Sequence, residues 1–253
     1  MQHKRQRVGL ITGGSRGVGA ETALALADRG YDIALTYRNK AARARNVVTA
    51  VTQRNVGGLA LACDMTHSGE IASLFQRLKQ WTDHLDVVVL NASGGLERAL
   101  VAADARYPMH MNRDAQLQFV DAALPLIFHG GVIVFVTSHW AHLYGHMEQL
   151  PAYEPIAESK YAGEQALRAR QDEFAARGVR LIVVTGSLIE GTVAPKLLQR
   201  TAPGLIDQQR GITGALLTVT EMGREIALAA MKTDLPNGST VVAGTPLQSM
   251  LFH

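Results

Sequence analysis

The sequence holds a single cysteine, Cys63, so it has no internal disulfide and no cysteine pair at metal-ligand spacing. Cys63 is expected to serve packing. Aromatic residues are only 6% of the chain, and the formal charge is +3 with lysine and arginine scattered along the 253 residues. With no basic stripe or tail, the composition argues against a nucleic-acid partner. No apolar run approaches the roughly 18 residues that a membrane span needs. The basic opening MQHKRQR passes within a few residues into a strand pattern, without the apolar stretch of a secretion signal. The expectation is a cytoplasmic protein with no membrane partner.

What is present is a regular alternation. Short β-branched runs recur at 7-RVGLIT-12, 32-DIALTY-37, 58-GLALA-62, 85-LDVVVLN-91, 131-GVIVFVT-137, 179-VRLIVVT-185 and 239-STVVAG-244. Most are continuously apolar, as strands covered on both faces require. Helix-like segments lie between them, near 17–29, 41–54, 67–81, 107–128, 155–177 and 219–233. The pattern predicts an α/β protein, residues 1–253 forming a single domain with a seven-stranded, doubly wound parallel sheet. One long segment, about 188–217, departs from the rhythm and carries two prolines, several glycines and many leucines. Placed after the sixth strand, it is expected to be a lid or wall for substrate.

Directly after the first strand comes 12-TGGSRGVGAETALALADRG-30, with Gly13, Gly17 and Gly19 between strand end and helix start. Glycines there permit a tight turn and let a pyrophosphate meet bare backbone N–H groups at a helix N-terminus. This predicts a dinucleotide-binding Rossmann fold. At the end of the second strand, 36-TYRNK-40 lacks the acid that would bind the ribose 2′-hydroxyl of NAD. Arg38, helped by Arg16, offers forked donors for a 2′-phosphate instead, so NADPH is the expected cofactor.

These motifs resemble the short-chain dehydrogenase/reductase family along nearly the whole chain. Thr12-Gly13-x-x-x-Gly17-x-Gly19 matches its nucleotide signature, and 90-LNAS-93 resembles its Asn-Asn-Ala-Gly turn. Asn112 matches the helix asparagine that braces the catalytic lysine through water, Ser138 the catalytic serine, and 159-SK-160 the Ser-Lys of Tyr-x-x-x-Lys. The resemblance implies cofactor contacts at Ser15, Arg16, Val18, Asp64, Met65, Asn91, Ala92, Ser93, Lys160, Ser187 and Ile189. It also leaves a homo-oligomer open, since related proteins pair the helices found here near 107–128 and 155–177. The sequence departs from the pattern at Ile156, which stands where the family carries its tyrosine. The loop between Ser138 and Lys160 is also longer than usual for the family.

An isoleucine carries no proton, so another donor is required. Tyr153 lies seven residues before Lys160, a spacing that resembles enoyl reductases, but Pro155 starts a helix beyond it. His139 and His142 flank Ser138, and an imidazole both gives and takes a proton near neutral pH. With His146 they make three histidines in eight residues. No carboxylate sits among them and no metal is expected. A third donor is the substrate itself, if a phenol stands beside the carbonyl to be reduced. The stretch PIAESKYAGE around the lysine is similar to the tyrosine-less ketoreductases of angucyclinone tailoring, of the simocyclinone type.

The resulting expectation is an NADPH-dependent ketoreductase of a bulky, aromatic polyketide ketone. Its proton would come from the substrate or from a nearby Tyr153 or His139. An enoyl reductase using Tyr153 and Lys160, and a non-catalytic NADP(H)-sensing regulator, are the alternatives.

Overall fold

The computed structural model describes residues 5–192, 195, 204, 206, 207, 210, 211 and 215–250. The β-branched runs become strands β1 (Arg7–Ile11), β2 (Tyr31–Tyr37), β3 (Gly58–Ala62), β4 (Leu85–Leu90), β5 (Ile127–Ser138), β6 (Arg180–Gly186) and, at the chain's far end, β9 (Thr240–Ala243). They form one seven-stranded parallel sheet in the order β3-β2-β1-β4-β5-β6-β9. The order reverses direction between β1 and β4, and at such a point the flanking loops part to leave a crevice beyond the strands' C-terminal ends.

Helices cover both faces. On one side α1 (Gly17–Ala27), α2 (Ala41–Thr52) and α10 (Val219–Met231) bury Leu26, Val51 and Ile226 against Ile33, Val89 and Val134. On the other, α3 (Ser68–Leu78), α6 (Ala115–Ala123), α8 (Glu154–Arg168) and α9 (Gln171–Ala176) bury Phe75, Phe119, Leu167 and Phe174 against Leu10, Val88 and Ile133. Burial on both faces explains why the strands read as unbroken apolar runs.

Three segments differ from the sequence expectation. The helix expected over 107–128 is α5 (Tyr107–Met109), a π turn at His110–Asp114 and then α6. The single long helix expected over 155–177 is split at Arg170 into α8 and α9. Between β4 and α5 stands a short α4 (Arg98–Ala103), and α7 (His139–His142) follows β5 directly. The expected lid is bracketed by two short parallel strands, β7 (Ile189–Glu190) and β8 (Leu217–Thr218). Most of 191–214 lies outside the described residues.

Candidate active site

The glycine turn brings β1, β4 and α1 into close approach. A side chain at Gly19 would meet the Gly13 carbonyl oxygen at 2.5 Å, so only glycine fits there. The Asn91 side chain bonds the Thr12 carbonyl at 3.0 Å, and the Thr12 hydroxyl accepts the amides of Asn91 and Ala92 at 2.9 Å. The turn and the loop after β4 are therefore locked together. At the start of α1 no side chain caps the first amides, which leaves them free for an anion. Ser15 and Val18 are half-buried in this turn, whereas Arg16 and, across the cleft, Ser93 are exposed.

Arg38 stands just past β2 and reaches over the strand ends. Its guanidinium donates to the Tyr107 hydroxyl at 2.8 Å and to Glu97 at 3.5 Å. Asp64, past β3, accepts from the Thr66 amide at 3.0 Å and hydroxyl at 2.7 Å. Burial alone would raise its pKa, but those bonds and the nearby Arg38 outweigh it and hold the carboxyl below its ordinary value. Met65 is buried beside it.

The chemistry-bearing residues gather where β5 ends. The Ser138 hydroxyl lies 3.1 Å from the Tyr153 hydroxyl, which the loop returns to the start of α8. Burial raises the Tyr153 pKa and the Ser138 bond only partly opposes it. Lys160, two turns along α8, is desolvated enough to fall to about 8, with Glu164 pulling the other way. Among the described residues no hydrogen bond or ion pair reaches its ammonium. Ile156 is 3% exposed, packed in an apolar cluster with Trp140, Tyr153 and Leu188.

Asn112 sits inside the π turn. Its amide donates to the Gly94 carbonyl and the Ser159 hydroxyl, both at 2.9 Å, and its side-chain oxygen accepts the Gly94 amide at 3.0 Å. It thereby clamps the loop after β4 to the residue preceding Lys160. Its backbone carbonyl abuts Gly163, where any side chain would overlap it.

His139 is a correction. The expected place for it was a substrate wall beside Ser138, but it is 0% exposed. One ring nitrogen bonds the Thr185 hydroxyl and the other the Thr245 carbonyl, both at 2.9 Å. Burial drives its pKa down to about 4, so it is a neutral pin between β5, β6 and the C-terminal segment. His142 instead bonds the buried carboxylate of Glu164 at 2.9 Å, which also accepts from Arg168 at 2.8 Å. Among the described residues no three histidine, cysteine or acidic side chains gather as a metal site. Ser187 and Ile189 follow β6 with Ser187 9% exposed and Ile189 half-buried.

Sequence reasoning missed Glu164, Gly163, Tyr107 and Glu97. Glu164 had a signal, since Lys160, Glu164 and Arg168 follow at four-residue intervals on one helix face. The other three are revealed only by contacts between distant segments.

A family model described as short chain dehydrogenase matches residues 7–201. The chain belongs to the short-chain dehydrogenase family. The 1-cyclohexenylcarbonyl-CoA reductase of Streptomyces collinus is 31% identical over 192 residues, which span 74% of this chain and 66% of that protein. The chain thus spans just under two thirds of that relative's length. Hydroxynaphthalene reductase arp2 of Aspergillus fumigatus is 30% identical over 203 residues, 78% of this chain and 72% of that protein. Among solved structures, the promiscuous reductase LugOII, described as catalysing keto-reduction at C1 during lugdunomycin biosynthesis, superposes with a TM-score of 0.78. It is 22% identical and the superposition covers 93% of this chain and 95% of that one, a likeness of fold. Among the described residues no helix is long and apolar enough to cross a membrane.

Proposed function

We propose that this short-chain dehydrogenase is an NADPH-dependent ketoreductase of a bulky, aromatic polyketide-type ketone, and that a phenol on the substrate supplies the proton. The carrying observation is the Ser138–Tyr153 hydroxyl pair at 3.1 Å, whose phenol burial pushes up in pKa against the Ser138 bond. Ile156 fills the position one turn before Lys160 with a buried apolar side chain, and the paired hydroxyls belong to Ser138 and Tyr153. Such a pair suits hydrogen bonding to a carbonyl better than it suits proton donation assisted by an ammonium.

The site fits a nicotinamide dinucleotide. Uncapped amides at the start of α1, glycine-only contacts in the turn and the Lys160 ammonium, which no hydrogen bond or ion pair reaches among the described residues, are features that phosphates and ribose hydroxyls would satisfy. The bound cofactor supplies a hydride. The chain's residues do the rest: the turn and Arg38 hold the phosphates, Lys160 holds ribose hydroxyls, and Ser138 and Tyr153 donate to the carbonyl oxygen. As that oxygen gains charge, the proton passes to it from the neighbouring phenol. The substrate class is supported by the apolar cluster of Trp140, Ile156, Leu188, Ile206 and Leu216 near the site. An open concavity of about 530 Å³ beside it is lined by Tyr144, Met147, Gln149 and Glu154. A hydroxynaphthalene reductase and a keto-reducing enzyme of antibiotic assembly among the similar proteins point the same way.

The test is turnover with NADPH on a polycyclic ketone bearing an adjacent phenol. Reduction is expected, with Ser138→Ala and Tyr153→Phe each slowing it by less than about a hundredfold, below the usual loss for a positioned acid. If Tyr153→Phe abolishes turnover at unchanged NADPH affinity, Tyr153 is the acid. If NADPH binds but neither a ketone nor an enoyl thioester is reduced, the protein is a sensor of the dinucleotide.

A further inference from the structure

The cationic end of Arg38 is engaged by two groups of the chain itself. One arm donates to the Tyr107 hydroxyl at 2.8 Å and the other approaches a Glu97 carboxylate oxygen at 3.5 Å. The two nearby carboxylates differ in freedom. Asp64 is tied into its own turn by the Thr66 amide and hydroxyl. Glu97 stands on the loop after β4, at the head of the six-residue α4, and is held otherwise by the Gly95 amide at 2.9 Å. Both members of the Arg38–Glu97 pair are about one third exposed, 32% and 36%. An ion pair of that kind is weak and readily exchanged.

We propose that Glu97 is a specificity-determining residue, an internal stand-in for the 2′-phosphate that occupies Arg38 until the phosphorylated dinucleotide displaces it. The inference rests on the NADPH reading above. A dianionic phosphate offers Arg38 more charge and a matching fork of acceptors than one loosely placed carboxylate oxygen, so it wins the exchange. A dinucleotide with a free 2′-hydroxyl cannot break the pair at a profit. It meets Arg38 already neutralised, with a carboxylate beside it that neither gains nor loses a partner. Glu97 therefore lowers the affinity for NADPH while leaving that for NADH nearly unchanged. It also restrains Arg38 from clamping other anions at the open cleft.

The experiment is titration of the full chain with NADPH and NADH, and separately with 2′,5′-ADP and 5′-AMP, followed by calorimetry. It compares the unmutated protein with Glu97→Gln and Arg38→Ala. Glutamine keeps the shape and the Gly95 contact but removes the charge. The expected result is that Glu97→Gln tightens NADPH and 2′,5′-ADP about fivefold, the upper range for an exposed pair, and shifts NADH and 5′-AMP less than twofold. Equal tightening of all four ligands, or no tightening, overturns the inference while an Arg38→Ala loss confined to the phosphorylated pair keeps the NADPH reading. If Arg38→Ala leaves the NADPH to NADH ratio unchanged, both fall together.

Discussion

Lys160 carries a charge that its surroundings do not repay. Its folded pKa of about 8 lies below the ordinary lysine value of 10.5 because burial penalises the ammonium. Between those values the unfolded chain binds more protons than the folded one, so stability rises with pH through that window. Below about 8 the penalty is present in full. Lys160→Met in the cofactor-free protein is therefore expected to raise stability at pH 7 by about 2 kcal/mol, and the gain should shrink as pH climbs toward 10. Thermal unfolding across that range checks it; a gain that does not change with pH would mean that packing and not charge is the cause. Ser138, Lys160 and Arg38 were legible in the sequence because each stands at a fixed offset from a strand end or helix start. His139 was misread because a histidine-rich strip after a strand looks exposed. The partners that bury it, Thr185 and Thr245, lie 46 and 106 residues away.

At the scale of elements, the π turn at His110–Asp114 is the least legible feature and the one that shapes the site. One extra residue in a helical turn leaves the apolar periodicity almost unchanged, so the pattern over 107–128 reads as a plain helix. The extra residue turns the Asn112 side chain to Gly94 and Ser159 and presses its carbonyl onto α8 at Gly163. Gly163→Ala should therefore push α8 away from the π turn and cost about 1–3 kcal/mol, as overpacked contacts do. Chemical denaturation measures this, and a substitution without cost would mean that the two helices are free to separate. The strands were read more accurately than the helices. Both faces of the sheet are covered, so each strand had to be apolar from end to end.

Across the molecule, one buried carboxylate and its arginine join three elements. Glu164 of α8 receives His142 of α7 and Arg168, and Arg168 continues to the Gly238 carbonyl and the Thr240 hydroxyl at β9, both at 2.7 Å. With His139 fastened to Thr245, the end of β5 is tied to the C-terminal edge of the sheet. The Ser138–Tyr153 pair thus rests on a rigid base, against the buried apolar cluster that holds Ile156, Trp140 and Leu188. In the proposed reaction this hydroxyl pair would fix where a ketone oxygen sits and leave the proton to another group. The most direct measurement of that claim is single-turnover reduction of one polycyclic ketone in two forms, with its neighbouring phenol free and O-methylated, by the unmutated protein and by Tyr153→Phe. Methylation is expected to slow reduction by about a hundredfold or more, far beyond the effect of Tyr153→Phe on the free phenol. Equal rates for the two ketones, with Tyr153→Phe inactive on both, would contradict it.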